Sequence, residues 1–126
     1  MEANGILQAA TTIAKTTQTA VGAIIGTEGY RTMTVFLTYV KGDETGLDVI
    51  FSFQRTATGT AHPETEWSET AGVYTREARK WRLTASANVD IQIDVQARPF
   101  VLITQGGSNN DGTPTGTLAA SYAMQD

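Results

Sequence analysis

The side chains in this sequence that could do chemistry include two groups of carboxylates. Asp43, Glu44 and Asp48 surround one turn signal, and Asp90 and Asp94 share one side of an alternating segment. Paired carboxylates could bind Ca²⁺ or act as acid and base in glycoside hydrolysis. Asp90 and Asp94, however, are separated by about 13 Å of extended strand, which is too far for one shared ion. We therefore predict solvated strand charges rather than a site.

The other motifs with catalytic or ligand-binding potential are incomplete. His62 is the one histidine, and there is no cysteine and no G-x-S-x-G motif to supply a nucleophile. Residues 108–113 offer the oxygens of a Ca²⁺ loop but lack the closing Glu of an EF-hand, and a turn of Asn, Asp and Gly explains them as well. No helix pattern follows Gly106-Gly107, so it is not a phosphate cradle. We predict no metal, no cofactor and no enzymatic activity.

Aromatic and basic side chains are the remaining candidates, as binding surfaces. Four cations cluster within residues 76–82 and could contact an acidic partner, although a solvated basic face is the alternative. Trp67 is expected to anchor a loop to the edge of the core. The aromatic residues could form a sugar-stacking platform, or they could fill a core or a subunit interface. They are Tyr30, Tyr39, Trp67, Tyr74, Trp81 and Tyr122.

Composition limits the partners and the compartment. The formal net charge is −4 and charged residues make up only 17% of the chain, so duplex binding through a basic face is not expected. The absence of cysteine favours folding inside a cell. The N-terminus lacks the features of a signal peptide, and no apolar run approaches the length of a membrane span. We expect a protein made in a host cytoplasm, with no nucleic-acid or membrane partner.

The elements that must position these side chains are β-strands. In Asn88–Gln96 apolar residues alternate strictly with polar ones, the period of a half-buried strand. Residues 30–40 are apolar on both sides, which predicts a central or doubly covered strand. A turn over Lys41–Gly46 then predicts a hairpin with a strand at Leu47–Gln54.

The rest of the chain also favours short strands with turns between them. Arg55–Thr70 is predicted to be a loop, and Ala71–Ala87 contains one or two strands, with a helical turn at Arg76–Trp81 as the alternative. A buried strand at Phe100–Thr104 and a closing strand at Thr117–Met124 complete the pattern. The predicted fold is a single-domain, all-β antiparallel β-sandwich, jelly-roll-like, with about six to eight strands.

The N-terminal segment is interpreted as an extended arm. Residues 1–28 are assigned to the arm and the first strand, and residues 29–126 to the sandwich core. The first strand is expected at Thr12–Ile25, with a short helix at Ile6–Ala14 as the alternative. The residues that we expect to contact a partner combine arm positions and the basic cluster: Ile6, Leu7, Ile13, Val21, Arg76, Arg79 and Arg82.

Over residues 12–124 the sequence resembles a known class of protein. The order is a Thr-rich first strand, then Met33–Val49, a loop with Trp67, Val89–Phe100 and a Gly-rich loop before the last strand. It resembles the small β-sandwich virion proteins of tailed bacteriophages, found as head decoration (cement) or head–tail accessory subunits. The resemblance implies no active site. It implies contact with the major capsid protein or other virion proteins, a location in the virion and a homo-oligomer, either a dimer or a trimer.

Three functions remain open, two that follow from the resemblance and one rival that shares the sandwich architecture. The first is a cement subunit that bridges neighbouring capsid proteins, in which the arm clasps a neighbour. Deleting residues 1–20 is then expected to abolish assembly and to leave the sandwich folded. The second is a neck or tail component of the same virion. The third is a carbohydrate-binding module, which requires aromatic side chains such as Trp67, Tyr74 and Trp81 to be exposed in a row.

Overall fold

The computed structural model describes residues 2–15, 17–107 and 113–126. These residues form β-strands and no helix, and every pair of strands is antiparallel. The strands are β1 Glu2–Thr12, β2 Thr19–Ala20, β3 Ile25–Gly26, β4 Thr32–Val40, β5 Leu47–Gln54, β6 His62–Pro63, β7 Thr65–Thr70, β8 Val73–Ala78, β9 Trp81–Leu83, β10 Ala87–Asp94, β11 Phe100–Gly107 and β12 Thr117–Gln125. Eight of them have six or more residues, at the upper end of the predicted number.

Two sheets enclose one core. Sheet A has the order β1-β12-β4-β10. Sheet B has the order β2-β11-β5-β6, with β3 also on β11 and β9 also on β5. Buried apolar residues from both sheets form a single cluster that includes Met33, Leu37, Phe51, Ile103 and Leu118. The predicted antiparallel β-sandwich is confirmed.

Alternation places the core in sheet A as the sequence predicts. In β4 the residues Met33, Val35, Leu37 and Tyr39 are at most 1% exposed. In β10 the apolar positions Ile91 and Ile93 face the core, whereas Asp90 and Asp94 are exposed. The other side of β4 is open, because Phe36 and Val40 are 41% and 55% exposed. This strand is therefore central in its sheet but covered on one face only.

The predicted hairpin of β4 and β5 is wrong. β4 pairs with β10 and β12 in sheet A, whereas β5 pairs with β11, β6 and β9 in sheet B. Lys41–Gly46 is thus a crossing between sheets. A polar turn with Gly and Asp suits both kinds of connection, and the difference lies in pairing partners far along the chain.

The N-terminal segment is part of both sheets. β1 pairs with β12 from Glu2↔Gln125 to Thr12↔Thr117 and forms one edge of sheet A. The chain then crosses to sheet B, where β2 and β3 pair with β11. The predicted first strand at Thr12–Ile25 is therefore misplaced, and the alternative helix at Ile6–Ala14 does not form. Tertiary pairing, rather than local propensity, decides the conformation of this Ala- and Thr-rich segment.

Candidate interaction surfaces

The β7–β8 hairpin stands apart from both sheets. It interrupts the predicted loop at Arg55–Thr70, and nearly all of its residues are exposed. Hydrogen bonds at its base attach it to the sandwich: the Glu64 N–H donates to the Phe51 carbonyl at 2.8 Å, and the Arg79 N–H donates to the Glu64 carbonyl at 2.7 Å. A hairpin that is solvated on both faces gains little from burial, so its side chains are free to contact a partner.

One face of this hairpin carries Trp67, Glu69, Tyr74 and Arg76. The register pairs Trp67 with Arg76 and Glu69 with Tyr74, and alternation puts all four side chains on the same side. Trp67 is 64% exposed and Tyr74 is 69% exposed. The Arg76 guanidinium lies 5.0 Å from the centroid of the Trp67 ring, within cation–π range. The expectation that Trp67 anchors a loop to the core is wrong.

The tip is a two-residue turn with an unfavourable residue. Ala71 has φ of 51° and Gly72 has φ of 81°, the double positive φ of a type I′ turn. Asn-Gly is the preferred pair there, and a weak Ala-Gly signal explains why the sequence predicts no hairpin at this point. The Glu69 carboxylate accepts a hydrogen bond from the Gly72 N–H at 2.7 Å and supports the turn.

Replacing Ala71 by asparagine is expected to stabilise the hairpin by about 0.5–1 kcal/mol, because asparagine tolerates positive φ better than alanine. Amide hydrogen exchange within Thr65–Ala78 should slow by about two- to fivefold. Gly72→Ala is the matched control, since only φ opposes a side chain there, and it should accelerate exchange. Faster exchange in Ala71→Asn would contradict the turn geometry.

The opposite face of the hairpin has an electrostatic conflict. Glu66 lies directly opposite Glu77 across the strands, and both are exposed. Like charges at directly opposed positions destabilise an antiparallel pair. Thr65–Ala78 contains three glutamates and one arginine, so the hairpin is acidic. A cationic surface on a partner would relieve this repulsion.

The outer face of sheet A is a second exposed apolar surface. Ile6 is 82% exposed, Phe36 is 41% exposed and Val40 is 55% exposed. The register places Ser121 between Ile6 and Phe36 on neighbouring strands. The small side chains of β12 leave a shallow groove of about 270 Å³ there. The exposed carboxylate of Asp90 on β10 lies directly opposite Phe36, so an acidic residue borders this apolar surface.

The four arm residues that we predicted to contact a partner have different positions. Ile6 is exposed on the outer face of sheet A, and Leu7 packs against the core cluster. Ile13 and Val21 are 3% and 0% exposed. Because both side chains are inside the sandwich, Ile13 and Val21 cannot contact a partner in this conformation, which corrects that part of the prediction.

The three predicted arginines each have a partner within the chain. Arg76 stacks on Trp67, and Arg79 lies 4.1 Å from the centroid of the Trp81 ring and 4.0 Å from a Glu64 carboxylate oxygen. Arg82 forms a two-pronged ion pair with Asp48, at 2.8 and 3.0 Å. This ion pair raises the pKa of Arg82. The cluster is therefore divided among three local contacts and does not form one basic patch.

The carboxylate of Glu44 is buried, and nothing in the local sequence predicts this burial. Glu44 is 4% exposed and receives hydrogen bonds from the Tyr39 hydroxyl and from the N–H groups of Gly42, Thr115 and Gly116. Burial alone would raise the pKa of Glu44, but these hydrogen bonds outweigh it and lower the pKa to about 2. Burial, followed by the bond to Glu44, raises the pKa of Tyr39.

The geometry at Glu44 makes it a structural site. The carboxylate connects the Lys41–Gly46 crossing to the residues just before β12. Both of its oxygens accept hydrogen bonds from donors within the same chain. Our prediction of solvated charges therefore fails at Glu44, and also at Asp48, which is 6% exposed and paired with Arg82. It is confirmed for Asp90 and Asp94.

The remaining motifs show no assembled site in the part of the chain that the structure describes. His62 is exposed in β6. Within residues 2–15, 17–107 and 113–126, no group of three His, Asp or Glu side chains could hold a metal ion. Residues 108–112 of the possible Ca²⁺ loop lie outside the described residues. Of the candidate aromatic residues, only Trp67 and Tyr74 are largely exposed, whereas Tyr39 is buried and Tyr30, Trp81 and Tyr122 pack against the core.

Comparisons with known proteins identify the fold and no family. No protein-family model matches the chain, and no curated protein matches it. In the described ranges no helix is long and apolar enough to cross a membrane. Among solved structures, a chain in the structure of infectious bursal disease virus, Gx strain, is similar, with a TM-score of 0.52 and 11% identity. The similarity covers 98% of this chain but only 31% of the viral one, so this sandwich corresponds to about a third of the matched chain.

Proposed function

We propose that this protein is a structural subunit of a virion, and specifically a decoration subunit that bridges neighbouring major capsid proteins. The observation that carries the proposal is the presence of two separate exposed apolar surfaces. Ile6, Phe36 and Val40 lie on sheet A, whereas Trp67 and Tyr74 lie on a hairpin that extends from sheet B. A subunit that bridges two neighbours needs two surfaces, while a simple binding module needs one.

Other features support the same proposal. The fold is similar to that of a chain of a virus, and the sequence resembles the small sandwich proteins of tailed-phage virions. Large apolar side chains that are exposed and close together, as Ile6 and Phe36 are beside one groove, mark an interaction site. No catalytic role is part of the proposal. A neck or tail component of the same virion is the nearest alternative and would use the same two surfaces in a ring or a tube.

Co-sedimentation with undecorated phage shells tests the proposal. We expect saturable binding at a fixed ratio of this protein to major capsid protein. Ile6→Ser combined with Phe36→Ser should weaken binding at least about tenfold, because it removes exposed apolar area from the flat face of sheet A. Thr58→Ser, an exposed polar change in the segment between β5 and β6 and outside both surfaces, is the matched control and should bind normally.

The possible outcomes separate the alternatives. An absence of binding, together with a stable ring or polymer of the free protein, would replace the decoration role by a neck or tail role. Binding that is equal in the double variant and the wild type would reject sheet A as the surface that contacts the shell. An absence of binding from a monomer would reject the structural role as a whole.

A carbohydrate-binding module is the second candidate, and one observation favours it. Trp67 and Tyr74 are exposed on the same face of the hairpin, at diagonal positions where large rings come within reach of each other. Such a pair could stack on sugar rings, although Arg76 already stacks on Trp67. Glycan-array binding that is lost in Trp67→Ala and in Tyr74→Ala would support this candidate. An array without any hit would remove it.

A further inference from the structure

A pocket at one end of the sandwich is concave and carries a positive charge, whereas the hairpin protrudes and is acidic. It has a volume of about 450 Å³ and is lined by Tyr30, Pro99 and Phe100 together with Arg55 and Arg98. Glu28 is the one acidic residue among those that line it, so the two cations leave the pocket with a positive balance. Aromatic side chains together with a few charged groups are common in binding pockets.

The pocket is held in shape by its own backbone. The Thr27 N–H donates to the Pro99 carbonyl at 2.8 Å, and the Thr27 hydroxyl bonds to the Arg98 carbonyl. Ala97, which also lines the pocket, has φ of 63°. The Arg98 N–H donates to the Val95 carbonyl at 3.0 Å, so Ala97 belongs to a hydrogen-bonded turn. These backbone hydrogen bonds hold the wall of the pocket in place.

The hairpin fits the pocket in shape and in charge. The hairpin is convex and acidic, with Val73 and Tyr74 exposed by 61% and 69% next to its tip. The pocket is concave, contains the rings of Tyr30 and Phe100, and carries the positive charges of Arg55 and Arg98. The Arg98 guanidinium also stacks on the Phe53 ring and donates to the Asp94 carbonyl, so within the described part of the chain Arg55 is the cation with no such contact to the pocket wall. Tyrosine in a preformed pocket, surrounded by complementary charges, is the typical arrangement of an interface hot spot. Each copy of this chain carries both a hairpin and a pocket. The hairpin of one copy can therefore bind the pocket of a second copy.

We infer that the tip of the β7–β8 hairpin of one copy inserts into the pocket between Tyr30 and Phe100 of a second copy. In this joint the Tyr74 ring lies against Tyr30 and Phe100, and Val73, on the opposite face of the tip, contacts the other wall of the pocket. Glu69, which is paired with Tyr74 on the same face of the hairpin, lies near Arg55. The inference rests on the proposed function and deepens it: the hairpin joins copies of the subunit to one another and sheet A of each copy contacts the shell, so that joined copies bridge neighbouring capsid proteins.

Sedimentation velocity of the purified full chain tests the joint with one variant for each side. Val73→Ser combined with Tyr74→Ser disables the hairpin, and Arg55→Glu disables the pocket; all three residues are exposed, so the fold should be retained. We expect wild-type protein to self-associate and each variant to do so at least about thirtyfold more weakly. An equimolar mixture of the two variants should form a heterodimer, because each supplies the half that the other lacks.

Two controls make the test specific. Ile6→Ser removes an exposed apolar side chain from sheet A, and Lys80→Glu reverses an exposed charge outside the pocket; both should associate like wild type. A monomeric wild type at about 1 mM would overturn the inference, as would a mixture of variants that stays monomeric. Loss of association in Ile6→Ser alone would also overturn it, by moving the joint to sheet A.

The result is independent of the virion proposal. The assay contains only this chain, whereas the shell assay measures a different partner. Self-association through the hairpin without shell binding would retain the joint and reject the decoration role. Shell binding by a chain that never self-associates would retain the decoration role and reject the joint between copies.

Discussion

Replacing Glu44 by alanine is expected to lower the free energy of unfolding by about 3–5 kcal/mol. The change removes an acceptor that is 4% exposed and leaves its donors, which include the Tyr39 hydroxyl and the Gly116 N–H, without a partner. Each buried donor that loses its partner costs about 1–3 kcal/mol. The free energy of unfolding of such domains is only about 5–15 kcal/mol in total. The hydrogen bonds of this one side chain therefore contribute a large fraction of it.

Urea unfolding of three variants measures the effect. Asp43→Ala is the matched control, because it removes the same charge from the adjacent residue, which is exposed, and it should change stability by less than about 0.5 kcal/mol. Glu44→Gln keeps the shape and one acceptor oxygen, so its loss should fall between the two. Equal stability of Glu44→Ala and Asp43→Ala would show that the hydrogen bonds to Glu44 contribute nothing.

The Glu44 carboxylate also predicts how the stability of the protein changes at low pH. Its pKa falls from 4.5 to about 2 on folding, so its contribution is complete above about pH 4.5 and is lost as the pH falls toward 2. The difference between these pKa values corresponds to about 3 kcal/mol. Urea titrations between those pH values should show this loss in the wild type and not in Glu44→Gln. A parallel decline in both proteins would assign acid sensitivity to other carboxylates.

Local pattern predicts the strands of this chain far better than their pairing. The alternation in residues 88–96, the apolar run from Phe100 and the closing strand from Thr117 all correspond to strands of the structure, because side-chain period depends only on the local backbone. The hairpin assigned to β4 and β5 fails, because their partners β12 and β11 lie far along the chain. A turn sequence does not specify which sheet the next strand joins.

Burial of polar residues is equally hard to predict from the sequence. Glu44 lies in a polar turn and has the local features of a solvated residue. Two of the N–H groups that donate hydrogen bonds to its carboxylate belong to Thr115 and Gly116, which are 71 and 72 residues away in the sequence. Trp67 shows the converse, since a large aromatic side chain is normally assigned to the core. Its exposure depends on the hairpin around it, whose Ala71-Gly72 turn is a weak signal.

Deleting residues 2–12 is expected to abolish cooperative folding of the monomer. β1 supplies eight register pairs to β12, and Leu7 packs against the core. Gly22 has φ of +69°, and a Cβ there would collide with the Leu7 carbonyl oxygen, which shows how closely β1 approaches the rest of the chain. Losing this ladder and its packing should cost at least about 5 kcal/mol. The outcome would reverse the expectation from sequence that an N-terminal deletion leaves the sandwich folded.

Adding β1 back as a separate peptide shows whether it acts as a transferable strand. A synthetic peptide of residues 2–12 should restore a cooperative unfolding transition to the truncated chain, because an open edge of a sheet accepts an added strand. The peptide with Leu7→Asp should fail, since Leu7 packs on the core, whereas the peptide with Ile6→Asp should work, since Ile6 is 82% exposed. Rescue by both peptides would mean that main-chain pairing suffices. A truncated chain as stable as the wild type would instead make β1 dispensable for folding and available to clasp a neighbour.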